Sequence, residues 1–178
     1  MKKDLIRRAA IDVIAENGFH NATIEKIAKV AGVAVGTVYN YFGKKEDILN
    51  YVFQVEYEKR VYFLQKLNER DIHPLEKIKT LLSSYFAELS ENPNLAKVIL
   101  KERSFSKQDK MNYIRKFTEL PNFIKDILQD GVDKGILRKC DPQILSISLF
   151  GCVEALMTKF IIEKQYQCPA VFENAVKE

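Results

Sequence analysis

Apolar residues recur at intervals of three and four along most of this chain, the spacing that places them on one face of an α-helix. In the first such segment they are Leu5, Ile6, Ala9, Ala10, Val13 and Ile14. The pattern stops at Asn17-Gly18, a typical helix end. No stretch alternates between apolar and polar residues for more than a few positions, as a half-buried strand would. The pattern therefore predicts an all-α protein of about nine helices.

Short signals at helix ends divide the N-terminal part of the chain. Thr23 is a candidate N-cap for a short second helix, which stops at Gly32. A third short helix is expected over about residues 35–41, and a much longer one from the 44–47 segment to about residue 67.

Prolines mark the later helices, because proline is tolerated in the first turn. Pro74 and Pro142 suit such positions, with Asp141 as the N-cap of the later one, whereas Pro121 is expected to kink or split its helix. The predicted later helices cover about residues 75–89, 95–103, 108–134, 142–164 and 170–177.

Residues 23–41 have the form of a helix-turn-helix, in which a tight turn containing glycine joins two short helices. The second helix begins Val35-Gly36-Thr37. A recognition helix places its N-terminal residues against base edges and phosphates, so small residues there allow close approach. Tyr39, Asn40 and Tyr41 can hydrogen-bond to bases or phosphates. The two tyrosines and the following Phe42 could also be core aromatics of a three-helix unit.

Composition and charge are compatible with this interpretation. The chain has 178 residues, of which 47% are apolar and 29% charged, as in ordinary globular proteins. Its 28 basic and 24 acidic residues give a net charge of +4, which permits nucleic acid as a partner without demonstrating it. The N-terminus has no apolar leader, and no apolar run reaches the roughly 18 residues of a membrane span. We expect a cytoplasmic protein.

Residues with catalytic or metal-binding chemistry are scarce and scattered. The chain has three cysteines, at positions 140, 152 and 168, and two histidines, at positions 20 and 73. Their spacing indicates neither a disulfide framework nor a zinc site. There is no nucleophile motif and no glycine-rich phosphate loop. We therefore expect no metal, no cofactor and no enzymatic activity.

The segment from Ile27 to Leu49 resembles the DNA-binding signature of TetR-family repressors. The matching run is Ala31-Gly32-Val33-Ala34-Val35-Gly36-Thr37-Val38-Tyr39-Asn40-Tyr41-Phe42-Gly43-Lys44-Lys45-Glu46-Asp47. The resemblance implies a DNA-binding domain over residues 1–47 and an effector-binding and dimerisation domain over residues 48–178. It also implies a homodimer that binds double-stranded operator DNA and releases it when a small molecule fills the C-terminal domain.

The resemblance carries over to individual positions of the signature. Thr37, Tyr41 and Lys45 match positions that usually touch phosphates. Four further residues match positions that face the DNA groove or pack behind it, and Thr23 completes the predicted DNA-binding set. The four are Val35, Gly36, Tyr39 and Asn40.

Two residues depart from the family pattern. Ala34 stands where Ser or Thr is common, so the third helix lacks a side-chain N-cap, at a cost of about 1 kcal/mol. Val35 stands where a polar side chain is common. It cannot donate to a guanine edge but can touch a thymine methyl, so we expect a half-site that is rich in A·T pairs.

The helix that begins at Pro142 is apolar on two sides. Leaving either side in water would forgo roughly 1.5–3 kcal/mol for each large side chain, so we expect a second chain on one of them. A core helix of a monomer is the alternative. The predicted dimer-interface residues are Leu145, Leu149, Val153, Leu156 and Phe160.

The middle of the chain is dense in large apolar residues, which would suit a pocket for an apolar, elongated ligand. For any one of them, ordinary core packing is the alternative. The candidate ligand-binding residues are Leu82, Tyr85, Phe86, Leu89, Val98, Arg103, Ile124 and Leu128.

The run Glu91-Asn92-Pro93-Asn94-Leu95-Ala96 is similar to the FadR-type branch of the family, which regulates fatty-acid degradation. That similarity implies a long-chain fatty acyl-CoA as the effector. Lys97, Lys101 and Arg103 could then meet the phosphates of CoA, unless they are ordinary exposed helix charges.

Two other functions remain open at this point. A multidrug-type sensor would use a buried acid against a cationic ligand, and Glu154 is the candidate. A dimeric protein-interaction module would use the helix-turn-helix against a protein and would show no salt-sensitive affinity for DNA.

Overall fold

The computed structural model describes residues 2–102 and 119–159, and every regular element in those ranges is a helix. The eight helices are α1 (Lys2–Asn21), α2 (Ile24–Ala31), α3 (Val35–Tyr39), α4 (Lys45–Asn68), α5 (Pro74–Glu91), α6 (Pro93–Glu102), α7 (Glu119–Asp133) and α8 (Pro142–Met157). The all-α prediction is confirmed, with a helix count close to the expected one. The helix predicted over residues 170–177 lies outside the described residues.

The predicted helix ends are confirmed at the positions where local chemistry determines them. Gly18 has φ 73° and interrupts α1 near its end. Gly32 ends α2 at φ 64°, in the left-handed region that favours glycine. The Asp141 carboxylate caps α8 by accepting hydrogen bonds from the backbone N–H groups two and three residues later in the chain. Ala34 makes no side-chain cap at the start of α3, as its methyl group requires.

Pro121 lies near the start of the described part of its helix. It is the third residue of α7, which begins where the described residues resume. From there α7 continues to Asp133. The preceding part of the predicted segment, residues 108–118, lies outside the described residues, so the kink or split expected at Pro121 stays a prediction.

The chain forms two compact units. The first contains residues 1–60 and 92–107, and the second contains residues 61–91 and 108–178. Helices α1–α3, most of α4 and α6 belong to the first unit, whereas the end of α4 and helices α5, α7 and α8 belong to the second.

The core of the first unit centres on α1, which packs against α2 and α6. Helix α6 is joined to α1 near both of its ends. The Asn94 side-chain amide donates to the Asp12 carboxylate at 2.9 Å, and the buried Glu102 carboxylate accepts from the Phe19 N–H at 3.1 Å. The buried apolar side chains of this unit include Ile6, Ala10, Ile27, Val38, Phe42, Ile48, Val52, Ala96 and Val98.

The core of the second unit is a cluster contributed by α4, α5 and α7. Its buried members are Leu64, Leu67, Ile78, Leu81, Ile124, Ile127 and Leu128. Leu149 and Phe150 of α8 pack against this cluster from partly buried positions. One side of α8 is therefore used within the chain.

Candidate nucleic-acid interface

Helix α2 supports α3 through its buried face. Ile24, Ile27 and Ala28 are buried, while Lys26 and Lys29 on the opposite side are exposed. This distribution produces a strongly amphipathic helix of eight residues. The buried face of α2 packs towards α1 and α3, so the exposed lysines and α3 belong to the outer surface of the first unit.

Helix α3 buries one side chain and exposes most of the others. Val38 is fully buried and fixes the helix on the core. Val35, Tyr39 and Tyr41 are 36%, 52% and 46% exposed. The alternative in which these tyrosines are core aromatics is therefore wrong, whereas the neighbouring Phe42 is buried at 4% exposure.

Gly36 leaves open space on the outer surface of α3. A Cβ built at this position would meet no atom of the described part of the chain within 4 Å, and the backbone has no positive φ. Neither the backbone conformation nor packing among the described residues therefore requires glycine here. The space is where a recognition helix lets another molecule approach its backbone closely.

Thr23 has a defined structural role at the start of α2. Its side-chain oxygen accepts from the Lys26 N–H at 3.3 Å, which confirms the predicted N-cap. Hydrogen bonds from the backbone N–H of Glu25 and from the Thr23 hydroxyl lower the pKa of the Glu25 carboxyl. The cap holds the entry of the helix-turn-helix in place.

The other predicted DNA-binding residues lie on or beside α3. Thr37 is half-buried, and Asn40 is exposed directly after the helix. Lys45 is the first residue of α4, and its ammonium donates to the backbone carbonyls of Phe19, His20 and Ala22. No local sequence pattern indicates this contact, because the residues are far apart in the chain.

The predicted ligand-binding residues are divided between the two units. Val98, on α6, is buried in the first unit. In the second unit Ile124 and Leu128 belong to the core cluster, and Leu82 packs against it. Tyr85 and Phe86 are also buried there, with ring centroids 6.3 Å apart. Arg103 and the side chain of Leu89 lie outside the described residues.

A groove of about 740 Å³ opens on the second unit, between α7 and the start of α8. It contains none of the predicted ligand-binding residues. Both charge signs line it, and its lining residues are Lys125, Asp126, Gln129, Lys139, Cys140, Asp141, Pro142 and Gln143.

The predicted dimer-interface residues of α8 lie mostly towards the core. Leu149 packs on the core cluster, Val153 is 5% exposed, Leu156 is half-buried and Leu145 is 36% exposed. Phe160 lies outside the described residues. The opposite face of α8 is exposed at helical spacing and consists of Ile144, Ile147, Ser148, Gly151, Cys152 and Ala155.

That exposed face of α8 could not be identified from side-chain size alone. Ile144 and Ile147 are 65% and 55% exposed, yet the residues that continue their face are small. The larger residues of the same helix gave the stronger periodic signal, and they face inward. We call the face of residues 144, 147, 148, 151, 152 and 155 the outer face of α8.

Neither a metal site nor a membrane helix occurs in the described ranges. Within residues 2–102 and 119–159, no three His, Cys, Asp or Glu side chains form a group that could hold a metal ion. Over the same residues, no helix is both long enough and apolar enough to cross a membrane.

Comparison with known proteins identifies the class. Residues 6–52 match the family model "Bacterial regulatory proteins, tetR family". Residues 71–158 match the model "Tetracyclin repressor-like, C-terminal domain". The chain belongs to the TetR family of transcriptional regulators.

Within that family the chain is a homologue of fatty acid metabolism regulators. It is 34% identical to the fatty acid metabolism regulator protein of Bacillus subtilis, over 96% of this chain and 89% of the relative. The structure of the fatty acid degradation regulator FadR from Bacillus halodurans is similar at a TM-score of 0.86 and 31% identity, over 99% of this chain and 93% of that one. FadR from Bacillus subtilis, solved in complex with stearoyl-CoA, is similar at a TM-score of 0.81 and 31% identity, over 98% of this chain and 95% of that one.

Proposed function

We propose that the protein is a homodimeric repressor that binds operator DNA through α3 and releases it on binding a long-chain fatty acyl-CoA. The observation that carries the DNA-binding part is the outer surface of α3. It combines exposed Val35 and Tyr39 with open space at Gly36, and nothing in residues 2–102 and 119–159 requires either feature. A recognition helix needs both, since bases are read by side chains on a backbone that lies close to the groove.

The proposed contacts divide into two classes. Val35, Gly36, Tyr39 and Asn40 face the major groove, where base edges determine the sequence preference. Thr23, Thr37 and Tyr41 flank that group and contact the phosphates, which set the register of the protein on the duplex. Lys45 follows the helix-turn-helix as the first residue of α4.

The apolar side chain of Val35 gives a testable sequence preference. A valine can contact a thymine methyl but cannot donate to guanine, so the wild-type half-site is expected to favour A·T at the contacted position. Val35→Lys should move that preference towards G·C, by about 1–3 kcal/mol of discrimination. Selection from a randomised DNA library measures it. Identical consensus sequences for the two proteins would contradict the proposed role of Val35.

The proposed dimer forms through the outer face of α8. Two large isoleucines exposed beside small residues leave a surface on which a second helix can pack closely. Such a dimer would present two copies of α3, and simultaneous binding to successive major grooves requires them to lie about 34–36 Å apart.

The proposed effector rests on the relatives together with the composition of the second unit. A relative 31% identical to this chain was solved with stearoyl-CoA bound. The predicted ligand-binding residues in the second unit are apolar or aromatic, which suits an acyl chain better than a cationic drug. We propose that the ligand enters between the middle helices of residues 48–178.

The proposed mechanism is a change in the spacing of the two recognition helices. Helix α4 contains residues of both units, so a ligand that displaces it alters the position of α3 in the dimer. The ligand must bind the released form more tightly than the DNA-bound form, because equal affinities shift no equilibrium.

Fluorescence anisotropy with DNA from the region upstream of the protein's own gene tests the DNA-binding part. Binding is expected to be tight at 50 mM salt and to weaken steeply by 200 mM, since phosphate contacts release counterions; a loss of about 10³-fold would correspond to roughly six contacts. Absence of salt-sensitive binding to this DNA and to a randomised genomic pool would favour the protein-interaction function instead.

A further inference from the structure

We infer that Lys45 positions the helix-turn-helix instead of contacting a phosphate, and that the adjacent Lys44 supplies the phosphate contact. The inference rests on the proposed DNA binding and assigns separate roles to two neighbouring lysines. Sequence spacing favours Lys45 for the phosphate, whereas the contacts of its ammonium group indicate another role.

The Lys45 ammonium is fully engaged inside the first unit. Its nitrogen lies 2.9 Å from the carbonyl oxygen of Phe19, 2.9 Å from that of His20 and 3.2 Å from that of Ala22. It also lies 4.8 Å from the centroid of the Phe19 ring. An ammonium group has three N–H donors, so these three carbonyls use all of them. A phosphate oxygen can be added only by breaking one of these bonds.

These contacts occur where the backbone most needs donors. The last carbonyls of a helix have no intrahelical partner and carry partial negative charge. At the end of α1 the Gly18 carbonyl accepts from the Ala22 N–H, and the Asn21 carbonyl accepts from the Lys26 ammonium. Lys45 supplies donors to the carbonyls between and beyond them. It thus joins the end of α1 to the start of α4.

This junction determines where α2 and α3 begin. The segment between α1 and α2 is only Ala22 and Thr23, and Thr23 is the N-cap of α2. From the other side, the Glu102 carboxylate accepts from the Phe19 N–H at 3.1 Å. The segment before the helix-turn-helix is therefore held by the Lys45 ammonium, which donates to its carbonyls, and by the Glu102 carboxylate, which accepts from one of its N–H groups.

Lys44 has the opposite arrangement. Its backbone N–H donates to the Asp47 carboxylate at 3.1 Å, and its carbonyl accepts from the Asp47 N–H at 3.1 Å, so its main chain is fixed. Its side chain is exposed, and its ammonium makes no hydrogen bond or ion pair with the described residues. It lies three residues after the exposed Tyr41.

The salt dependence of operator binding separates the two roles. Lys44→Met should reduce the magnitude of the slope of log K against log salt by about two, which is one lost phosphate contact in each protomer of a dimer. Lys45→Met should leave the slope unchanged and lower the affinity at least about tenfold at every salt concentration. The affinity falls because a smaller fraction of the molecules holds the helix-turn-helix in the geometry that binds DNA. A lower slope for Lys45→Met, or an unchanged slope for Lys44→Met, would overturn the assignment.

Lys45→Arg provides a second test that keeps the charge. A guanidinium binds phosphate at least as well as an ammonium, but its planar fork cannot converge on three backbone carbonyls. The inference predicts a loss of affinity with the slope retained. Wild-type affinity in Lys45→Arg would overturn it. Circular dichroism at the assay temperature establishes that each variant is folded.

Hydrogen exchange in the DNA-free protein tests the positioning role independently of the proposed function. Lys45→Met should accelerate amide exchange across residues 19–27, and Lys44→Met should not. Equal protection in wild type and Lys45→Met would overturn the inference whether or not the protein binds DNA. Failure of the wild type to bind DNA would instead count against the proposed function and against the role of Lys44.

Discussion

Ile147→Glu is expected to convert the protein to a monomer and to weaken its binding to a palindromic operator by about 10²–10⁴-fold. Ile147 is 55% exposed at the centre of the outer face of α8, next to Ser148 and Gly151. A carboxylate there would be desolvated without a partner when two copies pack together. The affinity falls because each monomer would bind its half-site alone. In the dimer, binding of one helix-turn-helix raises the effective concentration of the second at the other half-site.

Ile136→Glu is the matched control for that experiment. Ile136 is 47% exposed and belongs to the second unit, but it follows α7 and is not on the outer face of α8. This variant should remain dimeric and keep its operator affinity. Analytical ultracentrifugation and anisotropy measure both properties. A dimeric Ile147→Glu, or a monomeric Ile136→Glu, would contradict the proposed interface.

Glu56→Gln is expected to lower the free energy of unfolding by about 3 kcal/mol, near the low end for a broken buried ion pair. The Glu56 carboxylate accepts from the Arg7 guanidinium at 2.8 Å, and the two side chains are 7% and 9% exposed. The substitution leaves a buried cation facing a neutral amide. The cost stays near the low end because Arg7 also donates to Asp4 at 2.9 Å.

Two further variants distinguish the contribution of the Arg7–Glu56 ion pair from that of the neighbouring Asp4. Asp4→Asn should cost no more than about 1 kcal/mol, since the Asp4 side chain is 39% exposed and its ion pairs are partly solvated. The double variant Arg7→Met with Glu56→Leu should recover to within about 1 kcal/mol of the wild type, because no buried charge remains. Urea denaturation gives the free energies of unfolding of the wild type and of the three variants. A double variant as unstable as Glu56→Gln would contradict this account of the pair.

The sequence was sufficient where structure depends on a residue and its near neighbours. Thr23, Gly32 and Asp141 were identified as caps because hydroxyl, glycine and carboxylate chemistry acts within three residues. The resemblance to the family signature added which residues of the helix-turn-helix are expected to face DNA.

The sequence was insufficient where a contact joins distant segments. The three carbonyl contacts of Lys45 are made to residues 23–26 positions away, and Arg7 meets Glu56 across 49 positions. On α8, periodicity detected two apolar sides, and the sequence-based prediction placed the dimer interface on the side that contains Leu149 and Val153. Packing of Leu149 on the core cluster uses that side within the chain and leaves the side with Ile144 and Ile147 exposed.

Operator binding with and without stearoyl-CoA, measured by fluorescence anisotropy at two salt concentrations, tests whether the protein is an acyl-CoA-responsive repressor. We expect salt-sensitive binding that saturating stearoyl-CoA weakens at least tenfold, which requires a coupling free energy of about 1.4 kcal/mol or more. Free CoA and a short-chain acyl-CoA should have little effect. Operator affinity that is unchanged by stearoyl-CoA would contradict the proposed acyl-CoA-responsive repressor.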